Sequence, residues 1–186
     1  MVVEPVRYRF SVDEYHRMGE AGVFEPDARV ELIDGEVIEM SPIGSRHAGC
    51  VNRVTRLFVR AVGDDAVVVI QNPVILSELS EPQPDLVLAR PRDDFYASGH
   101  PTPADILLAM EVSDTSLAFD TRVKVPLYAA AGVPEVWIVD LPAAALRVYR
   151  ELGPGGYSES LTLRSGDSVT LSGLPSVTVA VADILG

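Results

Sequence analysis

The sequence predicts an α/β domain built on a mixed sheet. Three observations carry that expectation. Apolar runs rich in Val, Ile and Leu alternate with segments of helical periodicity, which places strands and helices in turn along the chain. Asp34-Gly35 stands between two apolar-rich arms, a hairpin signal because glycine tolerates positive φ. From Ala145 onward, "ALRVYREL", a turn at "GPGG" and "YSESLTLRSGDSVTLSGLPSVTVAV" read as antiparallel strands.

Taken in order, "VRYRF" is extended, and "SVDEYHRMGEAG" is a short helix opened by a capping box, Ser11 with Glu14, and ended by Gly19 and Gly22. The hairpin "RVELIDGEVIEM" follows. "SRHAGCVNRVTRLFVRAVG" carries Val51, Val54, Leu57, Phe58, Ala61 and Val62 at helical spacing, with Gly63 as its stop. Three strands are expected in "AVVVIQNPVILS", "PDLVLAR" and "DILLAMEVS", the last two joined by a loop rich in Pro, Gly and Asp. "FDTRVKVPLYAAAGV" is a helix stopping at Gly132, and "PEVWIVD" a buried strand. Either this helix kinks at Pro126, or it begins near Pro126 and leaves Lys124 in the entering loop. No linker, repeat or low-complexity tract divides the sequence, so one domain is expected over residues 1–186.

The bulk numbers narrow the class. A chain of 186 residues with 47% hydrophobic composition can bury a real core. Fifteen basic against 27 acidic residues leave a net charge of −12, which disfavours non-specific adhesion to nucleic acid or anionic membrane without excluding a local basic groove. Arg46, Arg53, Arg56, Arg60 and Arg122 are the candidates for such a rim. Cys50 is the single cysteine, which rules out an intrachain disulfide and argues against a cysteine-based zinc site. "MVVEPVRYRF" lacks the apolar segment of a signal peptide, and no run approaches the roughly 20 apolar residues of a membrane span. A cytoplasmic location is the expectation. Walker, GxGxxG, GxSxG and HExxH patterns are all absent.

Two acids stand out. Asp85 opens the apolar run "PDLVLAR" and Glu111 closes "DILLAMEVS". A buried charge is costly unless it is paired, hydrogen-bonded or bound to metal. Strands about 4.8 Å apart bring two such carboxylates together, and like charges so close need a cation between them or a shared proton. A hard divalent cation suits oxygen ligands and usually keeps several waters, the candidate nucleophile for phosphodiester cleavage. Lys124, thirteen residues beyond Glu111, is placed to orient that water or neutralise charge, and Tyr128 shares its face at i+4.

The order of these segments resembles the PD-(D/E)XK nuclease superfamily and, within it, the Uma-two family of proposed endonucleases. The resemblance rests on "VELIDGEVIEMSP" with the following His47, "QPDLVL", "EVSDTS" and "YAAAGVPEVWIVD", and runs from about Tyr8 to the C-terminal "VADIL". It implies a restriction-endonuclease-like core with a mixed central sheet flanked by helices, an N-terminal hairpin and C-terminal strands. It also implies Asp85, Glu111 and the backbone carbonyl of Val112 as ligands of Mg²⁺ or Mn²⁺. The superfamily's E-X-K lysine position holds Ser113 here, and the family pattern moves that role to Lys124 in the next helix. Glu31 and His47 match positions that family members tend to keep, and with Tyr128 they are candidates for lining the site.

The resulting expectation is a metal-dependent endonuclease acting on DNA in preference to RNA, as a homodimer. The rivals are a catalytically weak or inactive nuclease fold kept as a binding module, favoured by the acidic charge and the absent E-X-K lysine, and a hydrolase of small phosphates, which a narrow pocket would favour. From residue type alone, the alternative for Asp85 is that it caps a strand or pairs with an arginine such as Arg90, while Glu31 is read as pairing across its hairpin and Ser113, Asp114 and Asp120 as turn and cap residues.

Overall fold

The computed structural model describes residues 6–186; residues 1–5 of the N-terminal stretch read above lie outside it. Helix α1 (Val12–Glu20) opens on the expected capping box, with the Ser11 hydroxyl accepting from the Glu14 N–H and the Glu14 carboxylate accepting from the Ser11 N–H. Strands β1 (Val30–Ile33) and β2 (Glu36–Glu39) form the hairpin. Both turn residues take positive φ, 52° at Asp34 and 79° at Gly35, as a two-residue hairpin demands. Helix α2 (Ser45–Val62) ends at Gly63, and its inward stripe is Cys50, Val51, Val54, Phe58 and Val62. Ala61, expected on that stripe, is exposed.

The core sheet has six strands in the order β3 (Val67–Ile70), β4 (Leu86–Ala89), β5 (Ile106–Ser113), β6 (Val136–Asp140), β7 (Ala145–Gly153) and β8 (Gly156–Leu163). Only β5 and β6 run parallel, as a right-sized crossover between them requires; the other pairs are antiparallel. That crossover is Leu117–Ala131. It contains a short helix α3 (Leu117–Phe119), a π-helical turn (Asp120–Lys124) and helix α4 (Val125–Ala131).

Of "AVVVIQNPVILS" only Val67–Ile70 forms a strand, because Gln71 takes a φ of 49° and ends it. The tail holds the hairpin β7–β8 and the small pair β9 (Ser168–Thr170) and β10 (Thr178–Ala180), but then finishes in a helix, α5 (Val181–Leu185). "VADIL" lies too close to the chain end to show helical periodicity.

Side chains alternate across the sheet and bury both faces. One face, with Leu86, Leu88, Leu108, Met110, Trp137 and Val139, packs under α2 and α5. Phe58 of α2 meets Trp137 with ring centroids 5.9 Å apart, a fully buried aromatic pair. The other face, with Val87, Ala109, Val136 and Ile138, packs under α4 through Val125 and Tyr128. This second face carries the site.

Candidate active site

The register of β4 and β5 puts Leu86 opposite Met110, so the next residues outward, Asp85 and Glu111, stand opposite each other. Both share the face of Val87 and Ala109. Residues directly opposite in an antiparallel pair hold their Cβ atoms roughly 5 Å apart. The strand backbone alone therefore brings the two acids together at the end of the sheet.

Asp85 is buried and held by three donors. Its Oδ2 accepts the Val112 N–H at 2.8 Å and faces His47 Nε2 at 3.0 Å, while Oδ1 accepts Gln71 Nε2 at 3.1 Å. His47, in the first turn of α2, is pushed up in pKa chiefly by its bond to Asp85. Its Nδ1 is buried with no hydrogen-bond partner, which is unusual for a polar atom. The arginine pairing considered for Asp85 does not form: Arg90 donates to the Ala104 carbonyl.

Glu111 is 3% exposed and Lys124 is 5% exposed. Lys124 Nζ lies 3.2 Å from Glu111 Oε1 and 3.0 Å from Glu31 Oε2. Burial opposes the ammonium's charge, but Glu111, Glu31 and Asp120 outweigh it and hold Lys124 above the usual lysine range. Burial pushes the Glu111 carboxyl up to about 8; Lys124 opposes this, and Asp120, Asp85 and Glu31 reinforce it. The Tyr128 hydroxyl donates to Glu111 Oε1 at 2.7 Å, and burial keeps that phenol protonated well above its ordinary range.

Lys124 reaches the site from the π-helical turn, not from an entering loop. Pro126 lies in the first turn of α4 and has no N–H to donate. The Val125 N–H instead returns to the Asp120 carbonyl, a wide i→i−5 closure that turns Lys124 inward. Glu31 does not pair across its hairpin: it is 1% exposed, bonds Lys124 and accepts the Gln83 N–H at 3.2 Å.

A cavity of about 450 Å³ opens onto these groups. Asp85, Glu111, Val112, Lys124, Glu31 and His47 line it, whereas Tyr128 lies behind Glu111. Ser113 and Asp120, read as turn residues, are buried, and Asp120 Oδ2 accepts the Ser113 hydroxyl at 2.6 Å in the cavity wall. Gln71 was not anticipated; its signal would have been a polar residue interrupting an apolar run next to Pro73. Of the arginines expected at the rim, Arg46 bonds Asp114 on the cavity lip and Arg53 is tied to carbonyls of α5. Arg29, not anticipated, lines the cavity.

Asp85, Glu111 and the Val112 carbonyl offer oxygen alone, the donor set a hard divalent cation prefers. The Val112 N–H donates to Asp85. Among the described residues no three His, Cys, Asp or Glu side chains converge as a self-sufficient metal cage. The residues fit a cation that keeps several water ligands, as Mg²⁺ does.

The fold is a mixed six-stranded sheet flanked by helices, with Asp85 and Glu111 opposed at its end. A crystal structure of "a putative nuclease belonging to DUF820" from Anabaena variabilis superposes with a TM-score of 0.71 at 14% identity, covering 95% of this chain and 97% of that one. The chain belongs to the Uma2 family, described as "Putative restriction endonuclease", whose model matches residues 12–182. No curated protein matches it. Family and fold together support a nuclease, and no helix among the described residues is long and apolar enough to cross a membrane.

Proposed function

We propose that the protein is a divalent-metal-dependent endonuclease that hydrolyses DNA phosphodiester bonds. The opposed pair Asp85 and Glu111, with a buried lysine 3.2 Å from the second acid, carries this reading. Asp85, Glu111 and the Val112 carbonyl would hold Mg²⁺ or Mn²⁺. When bound, the cation activates water and neutralises charge on the phosphoryl oxygens. Lys124 supplies a fixed positive charge beside the reacting phosphate, Tyr128 orients Glu111, and His47 orients Asp85. Glu31 keeps the lysine charged and in place.

The cavity's charge supports a cation requirement. Glu31, Glu39, Asp85, Glu111, Asp114 and Asp120 line it against Arg29 and Lys124. A phosphodiester is repelled from such a wall until a cation is added. The same excess of acid favours a second reading, a nuclease fold that binds a partner without cleaving. Nicking of supercoiled DNA separates them. Cleavage by wild type in Mn²⁺ or Mg²⁺, abolished by EDTA and by Asp85→Ala, is the expected result. Unchanged cleavage by the purified Asp85→Ala protein would defeat the proposal. Duplex cleavage needs two cuts, so a symmetric dimer is proposed as the working form, to be checked by light scattering.

A further inference from the structure

Gln71 is the residue that the proposed reaction leaves unexplained. It follows β3 directly and ends it with a φ of 49°, a backbone region that residues other than glycine and asparagine rarely adopt. Such outliers persist only where the surrounding structure enforces them, and they cluster at functional sites. Here both of its polar arms go to one residue. Its backbone N–H donates to the Asp85 carbonyl at 3.2 Å, and its Nε2 donates to Asp85 Oδ1 at 3.1 Å. Ile70 pairs with Leu86, so Gln71 lies beside Asp85 and its side chain reaches across to that residue.

A carboxylate offers about four acceptor sites. On Asp85 the Val112 N–H and His47 occupy Oδ2, and Gln71 takes one site on Oδ1. One site remains, on the oxygen that Gln71 holds. We infer that Gln71 is a positioning residue: its strained backbone and its amide fix the rotation of the Asp85 carboxylate and aim the remaining Oδ1 lone pair into the cavity for the cation. This inference rests on the metal-dependent reading above. It assigns the strain at Gln71 to function, so relieving it should help folding and harm the site.

The test is Mn²⁺ binding by calorimetry on the full chain, beside thermal melting, for wild type, Gln71→Asn, Gln71→Gly and Asp85→Asn. Asparagine and glycine both accept the left-handed backbone, and neither reaches Asp85. Loss of an outer partner of a metal ligand typically weakens metal binding roughly 10- to 100-fold. We expect that loss in both Gln71 variants, with Tm equal to or above wild type, and no binding in Asp85→Asn. Wild-type affinity in the Gln71 variants, with binding lost in Asp85→Asn, overturns the inference and leaves the nuclease reading standing. Melting several degrees lower in both Gln71 variants makes the residue a structural brace, which also overturns it. If wild type does not bind, or Asp85→Asn binds equally well, the metal-dependent reading falls and takes the inference with it.

Discussion

Lys124 sits between two carboxylates with its side chain 6% exposed, so its loss strands buried charge. Breaking a buried pair by removing one partner costs about 3–5 kcal/mol. Lys124→Met should therefore destabilise the fold by that order at pH 7, measured by urea denaturation. A loss below about 1 kcal/mol, the size of an exposed pair, would contradict this account. Glu111 gives the complementary case. Its carboxyl goes from the ordinary 4.5 to about 8 on folding. The native state thus holds this proton more tightly than the unfolded chain. The associated stability is full below pH 4.5 and is lost as pH rises towards 8. Glu111→Gln carries no such proton, so its stability relative to wild type should climb across that window, by a few kcal/mol at most. A stability difference that stays flat from pH 5 to 8 would remove the burial argument for Glu111.

The crossover between β5 and β6 shows how an element's irregularity serves the site. Pro126 forbids a regular hydrogen bond to the turn before it, and the wide closure from Val125 to Asp120 is the result. Replacing it, Pro126→Ala, lets the turn rewind towards an ordinary α-helix and rotates Lys124 away from Glu111. The expected outcome is a Tm equal to or above wild type with DNA cleavage lost, read from parallel melting and nicking assays. Ser11→Ala is the control element: its capping box lies outside the cavity, so it should cost about 1 kcal/mol of stability and leave cleavage unchanged. Starts and stops of this kind were legible in the sequence because their causes are local. The Asp34-Gly35 turn, the Ser11 cap and the Gly63 and Gly132 stops each depend on a few neighbouring residues. The end of β3 was not legible, because "VVVIQNPVIL" favours a strand throughout and the break at Gln71 is enforced by Asp85. Glu31 was misplaced for the same reason, since its partner Lys124 is distant in the chain and meets it only through the fold. Asp85 and Glu111 were legible as a pair because strand order alone sets them opposite each other.

At the scale of the whole molecule, the net charge of −12 opposes the proposed substrate, a polyanion. The protein has few cations to spend near the cavity. Arg29 and Lys124 line it, and Arg46 is bonded to Asp114 on its lip. Arg53, the next along α2, is committed to the carbonyls of Ile184 and Leu185. Affinity for duplex DNA falls with salt at a log–log slope of roughly −0.9 per phosphate neutralised, and proteins with 6–10 such contacts show correspondingly steep dependence. Two or three available cations imply a slope of only about −2 to −3. The measurement is DNA affinity against KCl at fixed Mn²⁺, using Glu111→Gln if wild type cleaves too fast, and that shallow slope is the expected result. Arg46→Glu should then weaken binding and flatten the slope further, because it replaces one of the few nearby cations with another acid. A slope of about −6 or steeper would mean that DNA lies on a basic surface away from the cavity. Arg56→Glu with Arg60→Glu, both on the exposed side of α2, would then be the substitution that abolishes binding while Arg46→Glu leaves it intact.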